Sequence, residues 1–422
     1  MTRLSIRTDR SLIRAHGRSK RFVLAEVTAP HATQTRKRPP VNLAFVLDRS
    51  GSMAGQKLEF AKRAIHDALG RLDDQDRFSI VFYDDRIDVI VESTPATDEA
   101  RRNALRRLDA VDARGSTNLG EGWLRGCEQV ASHLSDGGVD RVLLLTDGLA
   151  NQGITDPDEL AHHAAELRAR GVSTTTFGVG NDFDEALLQA MADAGGGHFY
   201  YIAEAAQIRD HISSEVGEAL EVVASDVELE LLTAEGVEVE AISPHRVIGR
   251  TTRRTVSLGE LVSDQAVEIV FQLTFPYGDS GRETGLIVGI HDRSGAFAAA
   301  RVGDARLTWT WADHAANDAQ HRDVEVDRVV ARQFAARARL EAVRDNKAGD
   351  FDDAQRALRG VARRIRGYAG RDRELRDLVH ELEGEADRFA RPMAPAMLKE
   401  AHFSSVNALR SRMPSGEAMR RR

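Results

Sequence analysis

The chain has a single cysteine, Cys127, among its 422 residues. This scarcity excludes an internal disulfide and any metal site built from several cysteines. Its apolar runs are shorter than a membrane span, and its first residues lack the apolar core of a signal peptide. The net charge of -8 argues against nucleic acid as the main partner. We therefore expect a cytoplasmic protein with no membrane span, no nucleic-acid partner and a buried, inert thiol.

Motifs typical of nucleotide-binding and hydrolytic enzymes are also missing. The sequence has no phosphate-binding loop ending in Gly-Lys-Ser or Gly-Lys-Thr, and His162-His163 lies outside the pattern of a zinc protease helix. His198 is a packing residue or a strand start rather than a ligand in our interpretation. No recognisable motif combines a nucleophile with a neighbouring base. We expect no catalytic residues and no organic cofactor.

What the sequence does contain is an apolar run, residues 43–47, that ends in oxygen-bearing side chains. Asp48, Ser50 and Ser52 follow this run, separated by Arg49 and Gly51. A run this apolar is typical of a parallel sheet, where ligands bind beyond the carboxyl ends of the strands. Three oxygen groups that can point the same way favour a small hard cation. A capped turn before a helix is the alternative interpretation of this stretch alone.

The same stretch resembles the first part of the metal-ion-dependent adhesion site (MIDAS) of von Willebrand factor type A (vWA) domains. That pattern is Asp-x-Ser-x-Ser, followed by a distant threonine and a distant aspartate. Thr117 lies in the loop Arg114-Gly-Ser-Thr-Asn-Leu-Gly120, and Asp147 ends the apolar run Val142-Leu-Leu-Leu-Thr-Asp. The resemblance covers roughly residues 41–221 and fills all five metal positions: Asp48, Ser50, Ser52, Thr117 and Asp147.

The resemblance implies a role for each of these side chains. The hydroxyls of Ser50, Ser52 and Thr117 would bind the metal directly, while Asp48 and Asp147 would hold it partly through water. The metal implied is Mg²⁺, with Mn²⁺ and Ca²⁺ as alternatives. Because neutral hydroxyls leave the cation poorly neutralised, it would attract a carboxylate from another protein. Asn151 could shape the rim of this site, although a role in a turn is an equal alternative.

The pattern of elements predicts an inserted domain. Residues 39–223 alternate strands and helices, which predicts a doubly wound α/β domain with a mostly parallel sheet. Residues 224–311 carry period-2 patterns and turns that predict an antiparallel β-sandwich, with a last strand at 296–311. Residues 1–38 hold two strand patterns that cannot fold alone. We expect them to complete the sandwich, with an extended linker at 33–40 leading into the insert.

Helical spacing returns in residues 312–412. Three amphipathic stretches predict a three-helix bundle. The stripe from Ala354 to Ile365 in the second stretch predicts an internal core, with a partner or dimer interface as the alternative. Residues 413–422 predict a disordered tail. The expected fold class is thus a vWA-like α/β domain inserted in an antiparallel β-sandwich and followed by a helical bundle.

Together with these patterns, the resemblance to vWA domains implies a non-enzymatic, Mg²⁺-dependent protein-protein interaction module or scaffold. One alternative is a metal-dependent hydrolase or phosphatase that uses the same site. Another is a non-catalytic subunit of an ATPase or chelatase complex. Phosphatases of the haloacid dehalogenase type need a second carboxylate two residues after the first aspartate, and this chain has Ser50 there. That difference argues against phosphoryl transfer.

Overall fold

A computed structural model describes residues 2–32 and 38–421 of the chain. The described residues form two compact units, one from 38–222 and the other from 2–32 together with 223–421. Most of the predicted linker, residues 33–37, lies outside the described residues. None of the helices in the described ranges is long and apolar enough to cross a membrane.

The inserted unit, residues 38–222, alternates strands and helices along most of its length. Its elements are β4 Val41–Asp48, α1 Gln56–Gly70, β5 Arg77–Tyr83, β6 Ile87–Pro95, α2 Asp98–Asp109, α3 Leu119–Ala131, β7 Val139–Thr146, α4 Pro157–Ala169, β8 Ser173–Val179, α5 Glu185–Gly195, β9 Gly196–Ile202 and α6 Ile208–Leu220. The six strands form one sheet in the order β6-β5-β4-β7-β8-β9. Only the edge strand β6 is antiparallel to its neighbour. The predicted mostly parallel sheet is confirmed.

The two central strands of this sheet are buried along their whole length. Every residue of β4 and of β7 is buried, as expected for strands with helices on both faces. Helix α3 packs closely on the sheet because it presents glycine there: a Cβ atom at Gly122 would overlap the Tyr83 ring, and one at Gly126 would overlap Val46. Cys127 on the same helix is buried, and burial raises the pKa of its thiol.

The second unit contains two sheets that use both ends of the chain. Its strands are β1 Arg3–Thr8, β2 Leu12–Arg14, β3 Ser19–Thr28, β10 Val222–Thr233, β11 Glu238–Ala241, β12 Val247–Arg250, β13 Arg253–Val262, β14 Ala266–Phe275, β15 Glu283–His291 and β16 Ala305–Ala312. The sheet orders are β1-β3-β14-β11 and β12-β13-β10-β15-β16-β2. Strand β3 pairs with β14 from Thr28↔Ala266 to Ser19↔Phe275. The amino-terminal strands therefore belong to the sandwich sheets, as the expected fold class requires.

The prediction of one strand over residues 296–311 was wrong in its first half. Residues Ala296–Ala299 form a short helix, α7, and the strand begins only at Ala305. The Asp292 carboxylate accepts hydrogen bonds from the backbone N–H groups of Ala296 and Phe297. This side-chain cap favours a helical turn over an extended strand.

The carboxyl-terminal part is helical, and it has one long helix more than predicted. Its helices are α8 His314–Ala319, α9 Val324–Ala348, α10 Phe351–Ala369, α11 Arg373–Phe389 and α12 Pro395–Leu409. The stripe on α10 that includes Ala354, Leu358 and Ile365 is buried in a core with residues of α9 and α11, in line with its interpretation as internal core.

The predicted disordered tail is instead packed against the sandwich. Backbone hydrogen bonds join Ala266 N–H to the Met419 carbonyl at 2.8 Å and Arg421 N–H to the Asp264 carbonyl at 3.2 Å. Arg421 also forms an ion pair with Glu26 on β3. These contacts could not be predicted from the polar, basic composition of the tail, because its partners, Glu26 and Asp264, lie far away in sequence.

Candidate metal centre

The carboxyl ends of the neighbouring strands β4 and β7 bring the predicted acidic residues together. These strands pair in parallel up to Leu47↔Leu145, so Asp48 and the Thr146-Asp147 pair follow at the same edge of the sheet. Thr117 reaches this edge from the loop that precedes α3. A hydrogen bond from Gly51 N–H to the Gly115 carbonyl, at 3.2 Å, joins this loop to the one that follows β4. All five predicted metal residues therefore lie at one end of one sheet.

Asp48 is fully buried and is held by neutral donors. Its Oδ1 accepts the backbone N–H of Ser50 at 2.7 Å, and its Oδ2 accepts the Thr146 hydroxyl at 2.8 Å. Burial raises the pKa of Asp48 to about 6, and the nearby Asp147 carboxylate adds to this rise, while the hydrogen bonds from Ser50 and Thr146 oppose it. A positive charge at this position would favour the ionised form.

Asp147, which is 1% exposed, uses both of its oxygens. Oδ1 accepts the Ser52 hydroxyl at 2.6 Å, and the Ser52 hydroxyl lies 3.1 Å from that of Ser50. Oδ2 accepts a hydrogen bond from the ammonium group of Lys57. The side chains of Ser50, Ser52 and Asp147 therefore form one continuous chain of polar contacts, and Asp48 joins it through the backbone of Ser50.

Thr117 is buried and lies beside the loop that follows Asp147. Its N–H donates to Asn151 Oδ1 at 3.3 Å, and Asn151 N–H donates to the Thr117 carbonyl at 3.4 Å. A Cβ atom at Gly148 would lie 3.6 Å from the Thr117 hydroxyl, which places that hydroxyl against the backbone after Asp147. Asn151 therefore joins these two loops through hydrogen bonds to the backbone of Thr117.

A divalent hard cation suits this set of donors. The five side chains offer carboxylate and hydroxyl oxygens only, with no thiol or imidazole among them, which matches the preference of Mg²⁺. Two carboxylates that are 0% and 1% exposed lie close enough for like-charge repulsion to raise the pKa of Asp48. A cation between them would relieve this repulsion. The residues present fit the metal that the motif implies.

Sequence reasoning missed two side chains of this site, Lys57 and Thr146. Thr146 could have been found, because it directly precedes Asp147 at the carboxyl end of β7. At that position its hydroxyl reaches Asp48 at the end of β4. Lys57 is harder to predict, since it stands five residues after the last serine of the Asp-x-Ser-x-Ser pattern. It reaches Asp147 because α1 begins at Gln56 and points its first turn at the sheet edge.

An ion-pair network supports the loops on the β6 side of the site. Arg49 and Arg114 both contact the buried carboxylate of Asp84, at 2.7 and 2.8 Å, and both pair with Asp88. Burial alone would raise the pKa of Asp84, but the hydrogen bonds from Arg114, Arg86 and Arg49 outweigh it and lower that pKa. The loops that carry Ser50 and Thr117 are thus tied to the same acid.

A second group of potential ligands, His198, Glu215 and Glu218, is part of the scaffold. Their candidate atoms lie within 4.8 Å of one another. The buried Glu215 accepts hydrogen bonds from Thr175 at 2.7 Å and Tyr200 at 2.8 Å, and forms an ion pair with Arg141. Since these donors come from β7, β8 and β9, Glu215 ties α6 to the sheet, and His198 Nδ1 lies 3.0 Å from Glu215 Oε2.

Comparison with known proteins identifies the inserted unit. Residues 42–214 match the family model of the von Willebrand factor type A domain. The uncharacterized protein YfbK of Escherichia coli (strain K12) is 31% identical over 247 residues, which are 56% of this chain and 42% of that protein. The inter-alpha-trypsin inhibitor heavy chain H1 of Bos taurus is 28% identical over 212 residues, 47% of this chain and 22% of that protein. The chain thus spans less than half the length of these relatives.

Two solved structures share the fold over nearly the whole chain. A von Willebrand factor type A protein from Catenulispora acidiphila superposes with a TM-score of 0.70 at 18% identity, covering 100% of this chain and 98% of that one. The ArnB paralog VWA2 from Sulfolobus acidocaldarius gives 0.63 at 17% identity, covering 98% and 99%. These two structures show the fold of the chain, and the family-model match identifies residues 42–214 as a von Willebrand factor type A domain.

Proposed function

We propose that the chain is a non-enzymatic protein-binding module whose MIDAS, formed by Asp48, Ser50, Ser52, Thr117 and Asp147, binds Mg²⁺ and then a carboxylate of a partner protein. The observation that supports this most is the set of oxygen donors gathered at one sheet edge, with two buried carboxylates in it. vWA domains are a family of protein-interaction modules. The proposal extends that general role to a specific metal and a specific ligand chemistry.

The division between hydroxyls and carboxylates explains why the site would bind another protein. Bound Mg²⁺ would supply an electrophilic centre that prefers six oxygen ligands. Ser50, Ser52 and Thr117 contribute no charge, so these three ligands would leave the cation with an affinity for an external anion. Asp48 and Asp147 are held in place by Thr146, Ser52 and Lys57, and this keeps both carboxylates at the inner side of the site.

A hydrolase would need an activated nucleophile, and the contacts of the serines favour a binding role. Within the described ranges, the Ser50 hydroxyl lies 3.1 Å from that of Ser52, and the Ser52 hydroxyl donates to Asp147. Asp147, the carboxylate that could act as a base toward Ser52, is itself paired with the Lys57 ammonium. This ion pair makes the carboxylate a weaker base. We propose that the protein acts in the cytoplasm without turnover of its partner.

The test is capture of partners from native lysate in Mg²⁺ and in EDTA, with two hydroxyl variants of adjacent residues. Thr117→Val removes the proposed ligand and keeps the side-chain shape. Ser116→Ala is the matched control, because its hydroxyl accepts a hydrogen bond from Gln152 and is outside the ligand set. We expect the captured proteins to disappear in EDTA and with Thr117→Val, and to remain with Ser116→Ala.

Capture that is equal in Mg²⁺ and EDTA would contradict the metal-dependent part of the proposal. Turnover of a phosphate ester or peptide that disappears with Thr117→Val would instead establish the hydrolase alternative.

A further inference from the structure

Lys57 stands in the second position of α1 and directs its ammonium group to the Asp147 carboxylate. The side chain of Asp147 is fully buried, whereas that of Lys57 is 31% exposed. The lysine thus crosses from solvent to a buried acid at the centre of the proposed metal site. No part of the ligand pattern requires a cation at this position.

Lys57 neutralises a charge that the metal would also neutralise. Asp147 has two oxygens, of which Oδ1 accepts the Ser52 hydroxyl and Oδ2 accepts the Lys57 ammonium. A metal held by Ser52 and Asp147 would stand beside the ammonium group with charge of the same sign. At separations of a few ångströms, two such cations repel strongly where solvent is partly excluded. The carboxylate cannot stabilise both fully.

Lys57 also has a route away from Asp147. Its ammonium is carried by a flexible four-carbon chain, and its partial exposure leaves solvent on one side. Gly180 lies beside it, since a Cβ atom there would be 4.0 Å from Nζ. The side chain can therefore turn outward without a shift of α1, whose buried face includes Leu58, Ala61 and Ile65.

From these contacts we infer that Lys57 is a built-in cation that competes with the bound metal for Asp147. This inference rests on the proposed function, because it concerns the same metal site. In the metal-free protein the lysine keeps Asp147 neutralised and the loops in place. Metal binding displaces the ammonium toward solvent. Because the ion pair between Lys57 and Asp147 must break, the free-energy cost of this displacement lowers the affinity for the metal. The site would then be filled only when the divalent cation is abundant.

The first measurement is calorimetric titration of Mg²⁺ into the full chain and two variants. Lys57→Met keeps the length of the side chain and removes its charge. Arg63→Met is the matched control, because it removes one positive charge from the exposed side of the same helix, where Arg63 lies over the Phe60 ring. We expect Lys57→Met to bind Mg²⁺ about tenfold more tightly than the wild type, and Arg63→Met to bind almost as the wild type does.

The outcomes separate this inference from the proposed function. Equal Mg²⁺ affinity in wild type and Lys57→Met, or weaker binding in the variant, overturns the competition and leaves the metal site standing. Binding by Lys57→Met alone supports the competition, and it shows that the lysine blocks the wild-type site under the conditions used. Absence of binding in all three proteins overturns both.

A second measurement needs no variant, so it remains decisive if Lys57→Met fails to fold. Wild-type protein is treated briefly with an amine-acetylating reagent with and without Mg²⁺, and the modification of each lysine is read by mass spectrometry. We expect Mg²⁺ to increase the acetylation of Lys57 several-fold relative to Lys20, an exposed lysine in the other unit. Unchanged or reduced acetylation of Lys57 under saturating Mg²⁺ would overturn the displacement.

Discussion

The two buried carboxylates of the candidate metal centre are stabilised by different kinds of donor. Asp48 depends on a backbone N–H and a threonine hydroxyl, both neutral, whereas Asp147 has a lysine ammonium. A buried carboxylate without a paired cation is disfavoured in its charged form, which explains why the pKa of Asp48 is raised. Of the two acids, Asp48 therefore has more to gain from a bound cation.

The five proposed ligand positions could be predicted because the Asp-x-Ser-x-Ser stretch resembles a MIDAS, whose pattern also implies a distant threonine and a distant aspartate. Strand ends can be located from the apolar pattern, and parallel strands bring their carboxyl ends to one edge. The contact between Lys57 and Asp147 could not be predicted in the same way. It depends on where α1 begins and on how its first turn is directed, which a linear pattern does not contain.

A further buried acid, Asp76, lies at the opposite end of β4 from Asp48, beside the first residue of that strand. It accepts hydrogen bonds from Arg38 at 2.7 and 2.6 Å and from the N–H groups of Val41 and Asp73 at 3.0 and 2.8 Å. Burial alone would raise its pKa, but these hydrogen bonds outweigh burial and lower the pKa below its ordinary value. The ionised form therefore stabilises the folded inserted unit.

Replacement of Asp76 by Asn should destabilise this unit by roughly 2–3 kcal/mol near neutral pH, as expected for hydrogen bonds to a buried charge. Because the folded pKa is the lower one, the stabilisation is present above the unfolded value of about 3.9 and is lost as pH falls through the folded value. Hydrogen exchange of β4 peptides at neutral pH, and urea unfolding from pH 7 to pH 3, measure the effect. A difference between the proteins that grows on acidification would contradict this assignment.

At the scale of elements, the close contact of α3 with the central sheet positions the Thr117 loop. The helix begins at Leu119, two residues after Thr117, and the Asn118 side chain caps it by accepting the Glu121 N–H at 3.4 Å. The Gly126 contact with Val46 fixes the distance between helix and β4. A shift of α3 away from the sheet would therefore move Thr117 relative to Asp48.

Replacement of Gly126 by Ala should destabilise the inserted unit by roughly 1–3 kcal/mol, because the added methyl overlaps a stiff, buried valine. It should also weaken Mg²⁺ binding, since the Thr117 loop moves with the helix. The matched control is Gly70→Ala, where a Cβ atom meets nothing within 4 Å. Thermal unfolding and metal titration of both variants test this. Equal behaviour of the two would show that α3 is not closely packed.

Most elements of both units could be predicted from periodicity, and the misses have identifiable physical causes. Strand β12 is short and mostly exposed, so its apolar pattern is weak. Helix α12 begins with Pro395 at its first turn, and it is not among the three predicted amphipathic stretches. The strand prediction over α7 failed because a capping carboxylate, Asp292, determines the local fold there.

At the scale of the whole molecule, one unit depends on segments that are far apart in sequence. Strand β3 lies between β1 and β14, and Val23, Ala25 and Val27 belong to a core that also contains Ile269 and Phe271. Two strand patterns at the amino terminus predicted that partners were needed. Their register with β14 could not be predicted, because a shift along the strand by two residues preserves the same alternation.

Deletion of residues 1–32 should prevent folding of the sandwich, since β14 loses its β3 neighbour and β16 loses β2. The inserted unit has its own sheet and should stay folded. Hydrogen-exchange mass spectrometry of the shortened chain, with the full chain as control, distinguishes the two units. We expect protection to be lost in β14 and β15 and retained in β4 and β7. Retained protection in β14 would contradict the role assigned to β3.

The measurement that tests the central claim most directly is calorimetric titration of Mg²⁺ into wild-type protein and into Asp48→Asn. Asn keeps the side-chain shape and removes the charge of a buried residue that anchors the Ser50 backbone. We predict one binding site in the wild type, with Mn²⁺ able to replace Mg²⁺, and no measurable binding in the variant. Absence of Mg²⁺ binding in both the wild type and Lys57→Met, or equal binding by the wild type and Asp48→Asn, would contradict the account.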